Sequence, residues 1–379
     1  MPLTRRRQLL KGAVGLGLLA ALPDRGTTAP PRYAYVAAQG RHDAGAAAGA
    51  GVAVLDAQTG EARTLASSAR GHDVIAHPGK AGRVLMFARR PGFAAWEFDV
   101  VSGMATGGYA LAEDRQAYGH GAFSADGKRL YSCEGVVSSG RGLIVVRDAQ
   151  SYAVLAEWDS GGIGPHELKL MPDGQTLVIA NGGTLTRPAS GARILNLDSM
   201  VANLSYMSAE DGSLLETVHG PHPRASIRHL DVASDGTVAL AMQYQRLPDD
   251  PSESVPLVAM HRRGHAVTAL IAPDAIDAAL KGYLGSVRIC SASGIVAATS
   301  PRGNLAVFWR LREAAYAGYH ALHDVCGLAV SPDERRFVLT NSRGEFRAVD
   351  STTLTELTSA RRRLPSFRWD NHLTTVQLS

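Results

Sequence analysis

Residues 119–152 read GHGAFSADGKRLYSCEGVVSSGRGLIVVRDAQSY. The stretch holds three short apolar runs, at His120 to Phe123, Arg129 to Cys133 and Leu143 to Val146. Asp126-Gly127 separates the first two. An Asp-Gly step between apolar runs is a hairpin signal, because glycine supplies the positive φ that a tight turn needs. The third run ends on a polar turn residue, Asp148.

Working outward, this last feature recurs along the chain. It ends VAVLD at Asp56, AWEFD at Asp99, LSYMS at Ser208, LVAMH at His261, LAVFWR at Arg310 and FRAVD at Asp350. With Asp148 that makes seven copies, separated by 43, 49, 60, 53, 49 and 40 residues. A period of roughly 40–50 residues with several strands in each repeat is the signature of propeller blades. The preceding hairpin signal recurs too, at Asp173-Gly174, Asp235-Gly236, Ser293-Gly294 and Pro332-Asp333-Glu334, and more weakly at His77-Pro78-Gly79. A single small sheet cannot bury both faces alone, so the blades must stack around an axis. The fold class expected is therefore all-β: one seven-bladed β-propeller over residues 30–379.

The ends of the repeat must meet. Arg32 to Ala37 starts the first blade at its second strand, and Asn371 to Val376 is a short apolar segment with no partner of its own. The tail is expected to supply the missing innermost strand and so to remove an open sheet edge.

Residues 1–29 are set apart. Thr4-Arg5-Arg6-Arg7-Gln8-Leu9-Leu10-Lys11 precedes an uncharged apolar run from Gly12 to Leu22, too short to span a bilayer as a helix. That pattern fits a twin-arginine export signal, with cleavage expected between Ala21 and Ala29. Because the run is apolar all round, it is not read as an amphipathic surface helix. Periplasmic localisation follows, with no membrane span after cleavage. Without the leader the 39 basic and 35 acidic residues fall to 34 of each, so the basic balance gives no support to a nucleic-acid partner. A monomer is expected. Cys133, Cys290 and Cys326 sit inside apolar strand patterns with no CxxC spacing, which favours buried inert thiols over a redox pair or a zinc site.

The first strand of each blade lines the central channel. Aligned on their apolar residues Ile75, Phe123, Leu170, Val232, Ile289 and Val330, these strands carry His72, His120, Glu167, His229, Ser286 and Gly327 three positions earlier. His166 adjoins Glu167, and His372 holds the comparable place in the tail. Five of the 13 histidines thus fall at one channel mouth. Imidazole is a common ligand for zinc, copper and iron, so His72, His120, His166, His229, His372 and Glu167 are the candidate metal ligands, with Asp73 near. The alternative is that each ring only locks its blade to the next. A second polar set follows the neighbouring strands on the same face. From it Arg89, Arg90, Arg228, Gln243 and Arg302 are candidate ligand-binding residues, the arginines being suited to a carboxylate or phosphate. The chain lacks GxSxG, HExxH, GxxxxGK[ST] and a strand-following GxGxxG.

The stretches GHDVIAHP (71–78), YGHGAFSADG (118–127), GIGPHELKLMPDGQTLVIANGG (162–183), SIRHL (226–230), MQYQ (242–245), ATSPRG (298–303), DVCG (324–327) and WDNHL (369–373) resemble a family of twin-arginine-exported bacterial periplasmic proteins, a domain of unknown function. The resemblance implies a seven-bladed propeller. It also implies a role beside imelysin-type periplasmic proteins and dihaem oxidoreductases in iron uptake, with the family's histidines at His72, His120, His166, His229 and His372. The expected function is periplasmic handling of iron or copper, or docking within an iron-acquisition system. Two rivals remain: a metal-dependent hydrolase or lactonase-like enzyme, and a protein-interaction platform with structural histidines.

Overall fold

In the computed structural model the described residues, 31–40, 49–191, 193–247, 250 and 254–379, form seven four-stranded antiparallel sheets. The export signal expected over residues 1–29 lies outside the described residues. Each turn that the sequence marks does a specific job. Asp56 Oδ1 accepts hydrogen bonds from the backbone N–H groups of Gln58 and Thr59 at 2.9 and 2.8 Å. Asp148 does the same for Gln150 and Ser151, and Asp350 for Thr352 and Thr353. The recurring aspartate is thus an Asx turn between the third and fourth strands. Between the first and second strands, Gly127 and Gly174 sit at φ 68° and 67°, as the hairpin reading requires.

The third blade shows the common plan, with strands Arg115–Phe123, Arg129–Val136, Gly142–Asp148 and Val154–Asp159 running from axis to rim. Its second and third strands are buried almost throughout, whereas the outer strand is mostly exposed. Apolar clusters lie between neighbouring blades. Val74, Val84, Met86 and Phe98 of the second blade, for example, pack on Ala34, Val36, Val52 and Val54 of the first. The innermost strands contact one another in an unbroken ring. A short helix, Asp274–Ala279, lies between the fifth and sixth blades.

Closure is by the C-terminal strand. Thr374–Gln377 pairs antiparallel with Tyr33–Gln39, setting Val376 opposite Ala34 and Thr374 opposite Val36. The strand begins later than the sequence suggested. Residues 371–373 precede it, and they bring His372 to the channel. All three cysteines are buried and free. No helix of the described residues is long and apolar enough to cross a membrane.

Candidate metal centre

The histidines reach the axis through a backbone irregularity. The register between first and second strands slips at Gly71/Val74, Ala117/Gly121, Pro165/Glu167 and Ile227/His229. Such bulges add a residue to one strand and re-aim its side chains. Here they turn His72, His120, His166 and His229 toward the channel. Gly119 permits the closest approach among them. It sits at φ +100°, and a Cβ there would lie 2.7 Å from Cδ2 of His72.

The five rings converge. Ring centroids lie 4.8 Å apart for His72–His120, 4.6 Å for His120–His372, 4.5 Å for His229–His372, 5.0 Å for His166–His229 and 5.1 Å for His120–His166. All five side chains are buried. The donor atoms of His72, His120 and His372 lie within 4.8 Å of one another, and so do those of His120, His166 and His229.

Carboxylates stand behind the rings. His120 Nδ1 is 3.1 Å from Asp73 Oδ2, and His229 Nδ1 is 3.0 Å from Glu167 Oε2. Each carboxylate fixes a tautomer, leaving Nε2 as the available lone pair. Having one free nitrogen, His120 can serve only one of the two histidine triads at a time. Asp370 Oδ1 lies 3.8 Å from His72 Nδ1, within ion-pair range but too far for a hydrogen bond. Against the penalty of burial, Arg89, the contact with His72 and Arg70 hold the Asp370 carboxyl well below the usual range.

Burial keeps four of the imidazoles neutral. It pushes the pKa of His72 down to about 3 and that of His229 to about 4, and it drives His166 and His372 well below the ordinary value. Neutral imidazole is the ligating form. Five of their nitrogens are buried with no hydrogen-bond partner in the protein: His72 Nδ1, His120 Nε2, His166 Nε2 and both nitrogens of His372. An unmet buried polar atom costs about 1–3 kcal/mol, and a shared cation removes that cost for the lone-pair nitrogen of a neutral ring but not for its N–H.

The six candidate ligands from the sequence are therefore in one place, but Glu167 stands behind His229 and also faces Lys169 Nζ at 3.2 Å. Asp370 was not singled out in the sequence. Its only signal is the WDNH run just before the closing strand. The arginine set shares this mouth. Arg228 Nη1 donates to Gln243 Oε1 at 3.1 Å, and the Arg302 guanidinium lies 4.7 Å over the ring of Tyr283, a residue the sequence also left unmarked.

The fold and this cluster together define a class: a seven-bladed propeller whose channel mouth carries converging buried histidines. A family model described as a protein of unknown function, DUF1513, matches residues 65–376, and the chain belongs to that family. No curated protein matches. Among solved structures, the hydrazine synthase of Kuenenia stuttgartiensis is similar, with a TM-score of 0.61 at 15% identity, covering 80% of this chain and 90% of that one. At that identity the likeness concerns the fold alone.

Proposed function

We propose that the histidine cluster binds one late first-row transition ion, iron or copper, and that the protein is a periplasmic metal-handling or docking subunit of an iron-acquisition system. One observation carries the metal reading: five buried imidazoles from five blades meet, and four of them, His72, His120, His166 and His372, have a nitrogen without a hydrogen-bond partner. Nitrogen-rich sites suit iron, copper and zinc. His72, His120, His166, His229 and His372 hold the ion, while Asp73 and Glu167 orient two of them. When bound, such an ion supplies Lewis acidity or one-electron chemistry. The residues themselves set its coordination and keep the centre dry. The step to iron acquisition, with an imelysin-type protein or a dihaem oxidoreductase as partner, rests on the family resemblance.

A second reading is favoured by the two carboxylate bonds. Asp73 and His120 lie on adjacent blades, and so do Glu167 and His229, so these bonds also tie blades together. In that reading the histidines are structural and the mouth is a docking platform. A hydrolase or lactonase-like activity is the third reading, with no such observation in its favour.

The test is to load the full chain with Fe(II) or Cu(II), desalt it and measure retained metal by elemental analysis, with the melting temperature alongside. We expect about one ion per chain. Binding weakens at least tenfold in the His120→Ala/His229→Ala variant and is unchanged in His320→Ala, a residue of an outer strand. Wild-type protein that retains no metal, with the double variant only less stable, leaves the platform reading in its place.

A further inference from the structure

The same mouth carries a cationic collar that the histidine chemistry does not use. Arg89 and Arg90 follow the second strand of blade two, Arg302 follows the corresponding strand of blade six, and Arg228 occupies the bulge of blade five. Because the paired strands are antiparallel, the ends of these second strands lie on the face where the histidine strands begin. Arg228 is adjacent in sequence to His229, and its charge also bears on His166.

One carboxylate serves this group. Asp370 accepts from Arg70 Nε and Nη2 at 3.0 and 2.6 Å and from Arg89 Nη1 at 2.8 Å. Among the described residues, Arg90, Arg228 and Arg302 pair with no carboxylate. Arg228 gives one N–H to Gln243, and its Nε is buried without a partner. Arg302 stacks on Tyr283. The Tyr283 hydroxyl accepts from Asn371 Nδ2 at 3.0 Å, which leaves its own proton to donate. The charges of Arg90, Arg89 and Arg302 all bear on Arg228, as does Tyr283.

Uncompensated guanidiniums held close together destabilise a fold by like-charge repulsion and desolvation. Each offers a planar fork of donors matched to an oxyanion. We propose that Arg90, Arg228 and Arg302, with Tyr283 beside them, form a receptor for a small oxyanion bearing two or more negative charges, an oligocarboxylate or a phosphate, seated over the histidine cluster. The receptor rests on the arginines alone, whether or not the histidines hold a metal.

The test is calorimetric titration of the full chain with citrate and, separately, with inorganic phosphate, at constant ionic strength, with and without an uncharged chelator such as 2,2′-bipyridine. Wild type binds at least one of them, more weakly as salt rises. Binding of citrate alone assigns oligocarboxylates, and binding of phosphate alone assigns phosphate. Arg90→Gln/Arg228→Gln and the exposed Arg302→Gln each lose affinity at least tenfold. Without ligand their melting temperatures are unchanged or raised, because a repelling charge has gone. His120→Ala binds the anion as wild type does. Three results overturn the proposal: neither anion binds, the arginine variants bind as wild type or melt lower, or binding vanishes with chelator.

Discussion

Replacing His72 with glutamine should change how the stability of the fold depends on pH, by an amount that follows from its burial. The folded pKa of His72 is about 3, lowered first by desolvation, against about 6.5 in an unfolded chain. Below pH 6.5 the unfolded state takes up a proton that the folded state refuses, so stability falls as pH falls. Between pH 7.5 and 4.5 the loss is about 2.7 kcal/mol for this one group. His229, with a folded value of about 4, adds a loss of about 2.5 kcal/mol over the same range. His166 and His372 act in the same direction. So do Asp73, Glu167 and Asp370, whose folded values are depressed, but they act only below about pH 5, where unfolded carboxylates begin to protonate. Asp231, whose value is raised, opposes them in part. The histidine loss alone is comparable to the whole stability of many domains, about 5–15 kcal/mol. Urea unfolding of metal-free protein at pH 7.5, 6.5, 5.5 and 4.5 measures the curve. In His72→Gln the fall from pH 7.5 to 4.5 should be about 2.7 kcal/mol smaller than in wild type. Parallel curves for the two proteins would refute the claim that His72 is held neutral by burial.

Two other predictions concern the ends of the chain. Deleting residues 371–379 removes Leu373 and Val376, both fully buried; at about 1.5–3 kcal/mol each the loss is severe, and the exposed edge of Tyr33–Gln39 should promote aggregation. A truncated protein that melts with the full chain would show that the tail does not close the ring. Replacing Arg6 and Arg7 with lysine should block export, read by cell fractionation, and unchanged export in cells lacking the twin-arginine translocase would overturn the twin-arginine assignment.

The blades were legible because their turns use local chemistry. An aspartate that accepts two backbone N–H groups, or a glycine at positive φ, acts within four residues and leaves its mark in the sequence. Tail closure was legible too, because a strand without a partner and a blade without an inner strand have one joint solution. The site was less so. Aligning the inner strands three positions before their apolar residue set Glu167 in the ring with His166 beside it, whereas the bulge at Pro165/Glu167 puts His166 there and Glu167 behind His229. One inserted residue exchanges the two faces of a strand, and nothing in PHEL announces the insertion. Asp370 was harder still. Its partners Arg70 and Arg89 lie 300 and 281 residues away, so only the closed ring brings them together.

The uneven filling of the ring bears on which reading of the histidines holds. A device that only locks blades would be needed at every junction of a closed propeller, since every junction carries the same load. Carboxylate–histidine bonds between adjacent blades occur at two, Asp73–His120 and Glu167–His229. Blade six keeps a regular register and offers Ser286. Blade seven has a bulge of its own but turns Cys326 toward the backbone oxygens of Trp369 and Thr340. Meanwhile both nitrogens of His372 and Nε2 of His166 are buried without a hydrogen-bond partner, so they lock nothing. Unpartnered nitrogens that meet at one point favour the proposed metal site over a purely structural ring.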